Sequence, residues 1–177
     1  DPTVPWKDDG EYILLCMQKV GDASLRGADV FEWTQDTVEQ IRKYTDRKII
    51  IRPHPLYRKS SLHDTLKEKV SATADVHWQE ADLTKPDFVP IAEQLKQAWC
   101  TVTYSSGTGI DAVINGVPNV ACDTGSMVYE VSSTDIAEIE KPYRGEKGVW
   151  SNKIAHCQWS IEEFESGECW QHVSKSI

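Results

Sequence analysis

The stretch Cys100-Thr-Val-Thr-Tyr-Ser-Ser-Gly-Thr-Gly-Ile-Asp-Ala-Val-Ile-Asn-Gly-Val-Pro-Asn-Val-Ala-Cys122 holds a complete structural unit. Cys100 to Tyr104 is a short apolar and β-branched run that reads as a strand. Thr108 to Asn115 reads as a helix, closed by Gly116 with Pro118 just beyond it. Asn119 to Cys122 is a second short strand. A strand, a helix and a strand joined by short links form a crossover unit, so the two strands lie parallel.

The same alternation extends back along the chain. Tyr12 to Cys16 and Lys48 to Arg52 are continuous apolar runs of the kind buried on both faces of a parallel sheet. Between them, Phe31, Trp33, Val38, Ile41 and Tyr44 recur at helical spacing, which predicts a helix from Val30 to Tyr44. Pro53 and Pro55 end the second strand, because proline cannot donate to a sheet ladder. A helix over Leu62 to Val70, a weak strand at Val76 to Trp78, and a helix from Phe88 to Ala98 capped by Asp87 complete the pattern. The fold expected is α/β, a Rossmann-like three-layer sandwich with a parallel sheet of about five strands and the order 3-2-1-4-5.

The flanks read differently. Residues 1–10 carry Pro2, Pro5 and the turn-like Asp8-Asp9-Gly10, and are expected to form a loose segment. Ser132 to Lys147 is polar and charged. Residues 150–177 are expected to form a helical tail, its terminal helix starting near Ile161 behind the capping box Ser160-Ile-Glu-Glu163, although Gly167 weakens it.

The chain has 177 residues, which suits one domain over 1–177 with a core that needs no staples. Its net charge of −9 argues against a dedicated binder of nucleic acid or membrane surfaces, since both repel an acidic protein. It leaves room for a local basic pocket that takes a small phosphate ligand. No apolar run approaches the roughly 18 residues of a membrane span. The five cysteines show no CxxC spacing, and Cys16, Cys100 and Cys122 sit in apolar runs, so a reduced, cytoplasmic setting is expected. The histidines lack metal-ligand spacing, and no resident metal or cofactor is expected.

In an open parallel sheet, ligands bind beyond the carboxyl ends of the strands. Three loops leave those ends with suggestive chemistry. In the third, Tyr104 to Gly109, the residues Ser105, Ser106 and Thr108 offer hydroxyls, and Gly107 and Gly109 allow close approach of a ligand. This loop opens into a helix whose first N–H groups favour an anion. The same residues also suit an ordinary capped βα turn. In the second loop His54 stands rigidly between two prolines, with Arg52, Tyr57, Arg58 and Lys59 about it, and presents an imidazole suited to a phosphate. In the first, Gln18, Lys19, Asp22 and Ser24 suit sugar or base contacts, or an exposed turn.

Arg52-Pro-His-Pro55, Thr103-Tyr-Ser-Ser-Gly-Thr-Gly-Ile-Asp-Ala112 and Gly116-Val-Pro118 together resemble the C-terminal, donor-binding domain of GT-B glycosyltransferases. The nearest groups are capsule-polysaccharide transferases, polysialyltransferase-like enzymes and CDP-glycerol transferases. The resemblance runs from about Tyr12 to Tyr129. It implies that His54 is catalytic and that Arg52, His54, Ser105, Ser106, Gly107 and Thr108 hold the donor phosphates, with no metal. It also implies that Asp111, Tyr129 and Glu130 contact sugar or base. The stretch from Ile154 to Ser160 onward resembles a tail of phage or marine viral glycosyltransferase-like proteins. The acceptor half of a GT-B enzyme, which carries the general base, has no room in this chain. Asp8-Asp9-Gly10 is similar to the motif that carries that base but stands in the wrong place. The partners implied are a nucleotide or nucleotide sugar, an acceptor of unknown kind, and a second Rossmann-like domain or a second copy of the chain. A non-catalytic nucleotide-binding module and a nucleotide-sugar epimerase are the alternatives.

Overall fold

Tyr12–Cys16 forms the central strand, β1, and all five of its residues are buried. The computed structural model describes residues 4–56, 60–80 and 82–175. Around β1 stand β2 (Lys48–Arg52), β3 (Val76–Trp78), β4 (Ala98–Thr103) and β5 (Asn119–Ala121), all parallel, in the order β3-β2-β1-β4-β5. This is the order expected of a doubly wound sheet.

Strand alternation divides the core in two. Ile13, Leu15, Ile49, Ile51, Cys100 and Val102 face one side. There they pack against α1 (Val30–Ile41) and α2 (Ser61–Ser71). Leu14, Cys16 and Ile50 face the other side, under α3 (Ile91–Leu95) and α4 (Thr108–Ile114). Coverage on both faces is why the strands read as unbroken apolar runs. At the start of β4 the register slips between Tyr12 and Ile13, whose partners are Ala98 and Cys100, leaving Trp99 as an extra residue. Gly10 lies against that point, and a Cβ there would stand 2.4 Å from the Trp99 backbone.

Several expectations need correction. The segment described from Val4 to Glu11 is a strap, not a loose end. Its amides bond to Ile114, Gly116 and Gln97. The Trp6 indole donates to the Gly145 carbonyl at 2.7 Å and meets Tyr143 edge-on. The strap crosses Gly116 so closely that a Cβ there would sit 2.2 Å from the Pro5 carbonyl oxygen. Nothing in the local composition announces these contacts, because they are made to residues distant in sequence.

The helix expected from Phe88 occupies only Ile91–Leu95, with Pro90 rather than Asp87 at its N-cap. Proline disfavours helical geometry in the residue before it, so Val89 cannot continue a helix upstream. The Ser132–Lys147 stretch buries Ile136 and Ile139 and adds a parallel bridge, Val120 to Ser133, beside β5. After α5 (Gly148–His156), the tail is two short helices, α6 (Ile161–Ser166) and α7 (Glu168–Val173). Gly167 divides them at φ +82°, while the Ser160–Glu163 capping box forms as expected. Among the described residues no helix is long and apolar enough to cross a membrane.

Candidate functional site

The sheet order reverses between β1 and β4, where chain connections leave in opposite directions and open a crevice. A cavity of about 350 Å³ lies there, over Cys16, Arg52, His54, Phe88, Ser106 and Thr108. Its polar groups come from two of the three loops singled out in the sequence.

Arg52 ends β2 and is 6% exposed. Its Nη1 donates to the Val89 carbonyl at 2.8 Å and to the Gln94 side-chain oxygen, and the guanidinium lies over the Phe88 ring at 5.3 Å. Among the described residues it has no carboxylate partner. The Cys16 thiol beside it is pushed up to about 12 by burial and is neutral. Burial also lowers the Arg52 pKa from its ordinary value, although a guanidinium stays protonated.

His54 is half-buried. The Leu56 backbone N–H donates to its Nδ1 at 3.1 Å. Nδ1 is therefore an acceptor, and in the neutral ring the proton sits on Nε2. Burial, aided by the charge of Lys19 and opposed by Asp22, holds the His54 pKa below its ordinary value. The turn after Pro55 thus presents a neutral Nε2–H donor, and the rigidity read from the two prolines has a specific bond behind it. Tyr57, Arg58 and Lys59 lie outside the described residues.

The Ser-Ser loop divides its labour. Ser106 lines the cavity, its Oγ accepting from the Thr108 N–H at 3.2 Å and meeting the Thr108 hydroxyl at 3.2 Å. The N–H groups of Ser106 and Gly107 make no hydrogen bond among the described residues. Nothing lies within 4 Å of a Cβ built on Gly107, so this glycine faces open space. Gly109 serves packing instead, with a Cβ there meeting Val128 Cγ2 at 2.8 Å. The helix α4 that follows has only seven residues, Thr108–Ile114, and its first donor is already used by Ser106. The donors therefore carry more weight here than a helix dipole.

Ser105 points away from the cavity. Its N–H donates to Gln18 Oε1 at 3.0 Å, and its Oγ accepts from Gln18 Nε2 at 3.1 Å. Gln18 is 7% exposed and also donates to Ser24 Oγ. Ser24 is held in turn by Asp22, through its N–H at 2.9 Å and its hydroxyl at 2.6 Å, which lowers the Asp22 pKa. Three residues expected to face a sugar or base therefore bond mainly to one another.

The remaining candidates are dispersed. Lys19 lines a separate cavity of about 470 Å³ with Leu56 and His63, beyond the His54 turn. Asp111 lines a third, of about 400 Å³, between α4 and α5 over Trp150. Glu130 is paired with Lys153 of α5 at 2.9 Å, and Tyr129 shares its one-turn 3₁₀ helix. The sequence reading missed Phe88, Ile91 and Gln94 as parts of the site. The Pro90 break was the available signal, because it places Phe88 and Val89 in a loop near the strand ends. Among the described residues no group of three or more His, Cys, Asp or Glu side chains could hold a metal ion.

The fold and the cavity define a Rossmann-like α/β protein with a basic pocket at its topological switch point. No family model and no curated protein sequence matches the chain.

Proposed function

We propose that this pocket binds the phosphates of a nucleotide sugar and that the chain is the donor half of a metal-independent, GT-B-like glycosyl transfer. The observation that carries the reading is Arg52, a buried guanidinium on the cavity wall with no carboxylate to neutralise it among the described residues. A buried charge is costly until paired, and a phosphate supplies the missing anion. The neutral Nε2–H of His54, the Ser106 hydroxyl and the N–H groups of Ser106 and Gly107, unbonded among the described residues, add donors without adding anions. The resemblance of the Arg-Pro-His-Pro and Ser-Ser loops to donor-binding motifs supports the same ligand class.

In transfer, the bond from the sugar's anomeric carbon to the phosphate oxygen breaks, and its electron pair goes to that oxygen. Arg52 and His54 stabilise the charge that grows there. An acceptor hydroxyl bonds to the anomeric carbon and gives its proton to a base. None of the described residues lining the cavity is a carboxylate. The base then belongs to a second domain or partner, or the chain binds nucleotide without transferring. That second reading rests on the same missing carboxylate.

The test is a thermal-shift and calorimetric titration with CMP, CDP, UDP and GDP. Saturation at 100 times the dissociation constant should add about 2.7 kcal/mol of stability. EDTA should leave the dissociation constant within roughly twofold, because no charge-neutralising metal is invoked. No shift with any nucleotide at millimolar concentration rejects the reading. Sugar release from the matching nucleotide sugar, with the chain alone and with a candidate partner, separates transferase from binding module.

A further inference from the structure

The Ser-Ser pair carries two roles where sequence suggests one. We infer that Ser105 never touches the ligand and that Ser105 and Gln18 are a positioning pair, a clamp that aims the next two N–H groups into the pocket. The inference rests on the phosphate-binding reading above and deepens it.

The geometry is specific to a clamp. One buried amide grips both the backbone and the side chain of Ser105, with Gln18 Oε1 taking the N–H at 3.0 Å and Nε2 reaching the Oγ at 3.1 Å. Fixing the Ser105 N–H fixes the plane of the Tyr104–Ser105 peptide. The chain then enters Ser106 and Gly107 with a set direction, and their N–H groups are left without partners among the described residues. The single proton of the Ser105 hydroxyl has two acceptors within the protein, the Ser24 carbonyl and Gln18 Oε1, each at 3.3 Å.

The grip continues through the loop after β1. Gln18 Nε2 donates to Ser24 Oγ, and Asp22 holds Ser24 at both its N–H and its hydroxyl. The chain of contacts from Asp22 through Ser24 and Gln18 to Ser105 therefore ties the loop after β1 to the Ser106 side of the pocket. A loop flexible at either end would have to be ordered on binding, at a cost in affinity, and the clamp removes that cost in advance. Gln18 and Asp22 thus become positioning residues in place of the sugar or base contacts suggested by their loop.

The experiment measures CDP and UDP dissociation constants and amide resonances for the intact chain, Gln18→Leu, Ser105→Ala, Ser105→Thr, Ser106→Ala and the Gln18→Leu/Ser105→Ala double variant. Loss of the clamp should weaken binding roughly tenfold in Gln18→Leu and in Ser105→Ala, the scale of one or two hydrogen bonds. The double variant should be no weaker than either single one, because both remove the same device. Ser105→Thr, which keeps the hydroxyl, should restore affinity to within about twofold. Added nucleotide should move the Ser106 and Gly107 amide resonances and leave that of Ser105 in place. Additive losses in the double variant, or a Ser105 amide that shifts with nucleotide, overturn the clamp. Should no nucleotide bind the intact chain, the phosphate reading fails separately, and amide exchange decides the clamp. A Ser105 amide protected in the intact chain and exposed in Gln18→Leu, at an unchanged melting temperature, supports it. A Ser105 amide already unprotected in the intact chain overturns it.

Discussion

The two ends of the sheet place their cations differently, packed among rings and carbonyls at one end and beside a cavity at the other. At the amino ends of the strands, the guanidiniums of Arg47 and Arg144 both lie over the Trp99 ring, at 4.2 and 4.6 Å. Arg47 is also paired with Glu140 at 3.1 Å, and Arg144 donates to the Lys7 carbonyl at 2.8 Å. Lys147 is buried over the Trp6 ring at 3.9 Å and donates to the Val113 carbonyl at the end of α4. Each of these cations has been given a π face, a carboxylate or a helix-end carbonyl. At the carboxyl ends Arg52 has carbonyl-type oxygens and the face of the Phe88 ring, no carboxylate among the described residues, and a cavity beside it. Burial alone does not mark a site, since Lys147 is as buried as Arg52. What distinguishes Arg52 is the open volume beside it, since Lys147 too has only a ring and a carbonyl for company.

The largest effect should come from breaking the closed end. Trp99→Ala removes a ring that meets two guanidiniums and an indole bond to the Ile139 carbonyl at 2.8 Å. Its cost should be about 3–5 kcal/mol in urea unfolding, with nucleotide affinity of the folded protein unchanged. A weakened dissociation constant at full folding would show that the two ends are coupled, and would erase the contrast.

Arg52→Met should do the reverse. Losing a charge-assisted bond costs about 1.5–3 kcal/mol of binding, one to two decades in the dissociation constant. Stability should change little, because the variant removes an uncompensated buried charge while leaving two oxygens without their donor. Calorimetry and a melting curve on the same sample check both halves. Unaltered affinity, or a melting temperature lowered as far as in Trp99→Ala, makes Arg52 a structural cation like those at the other end.

Acid should reach the open end first. His54 and His63 have folded pKa values held below the ordinary 6.5, chiefly by burial. Between the folded and unfolded values the unfolded chain binds more protons, so stability is complete above about 6.5 and falls as pH drops through that window. Protonating His54 at Nδ1 also breaks the bond from the Leu56 N–H. The Leu56 amide resonance should therefore titrate with a midpoint below 6.5, while the Trp99 indole resonance stays fixed. A midpoint at or above 6.5 would contradict the neutral Nε2–H donor.

The smallest effects concern two glycines of one loop. Gly107→Ala has open space and a helical φ of −57°, so stability should hold or rise by about 0.4–1 kcal/mol while nucleotide binding weakens a few-fold. Gly109→Ala meets Val128 and should lose stability instead. Equal behaviour of the two would mean that Gly107 does not face a ligand.

Much of the architecture was legible in the sequence, for a physical reason. The β1 run Tyr12–Cys16 and the Thr108–Gly116 helix with its C-terminal glycine are set by local patterning, and crossover handedness and two-sided coverage then leave few sheet orders. The strand ends in turn locate the pocket, so Arg52, His54 and Ser106 could be named together. Contacts between distant residues were not legible. The strap over Gly116, the Trp99 contacts and the Gln18–Ser105 pair depend on where remote backbone comes to rest, and no spacing encodes that. Ser105 and Ser106 are adjacent, identical residues, and sequence alone gave both the same role. Only the tertiary structure separated them, because successive side chains leaving a strand diverge and a buried amide happened to stand on one side and a cavity on the other.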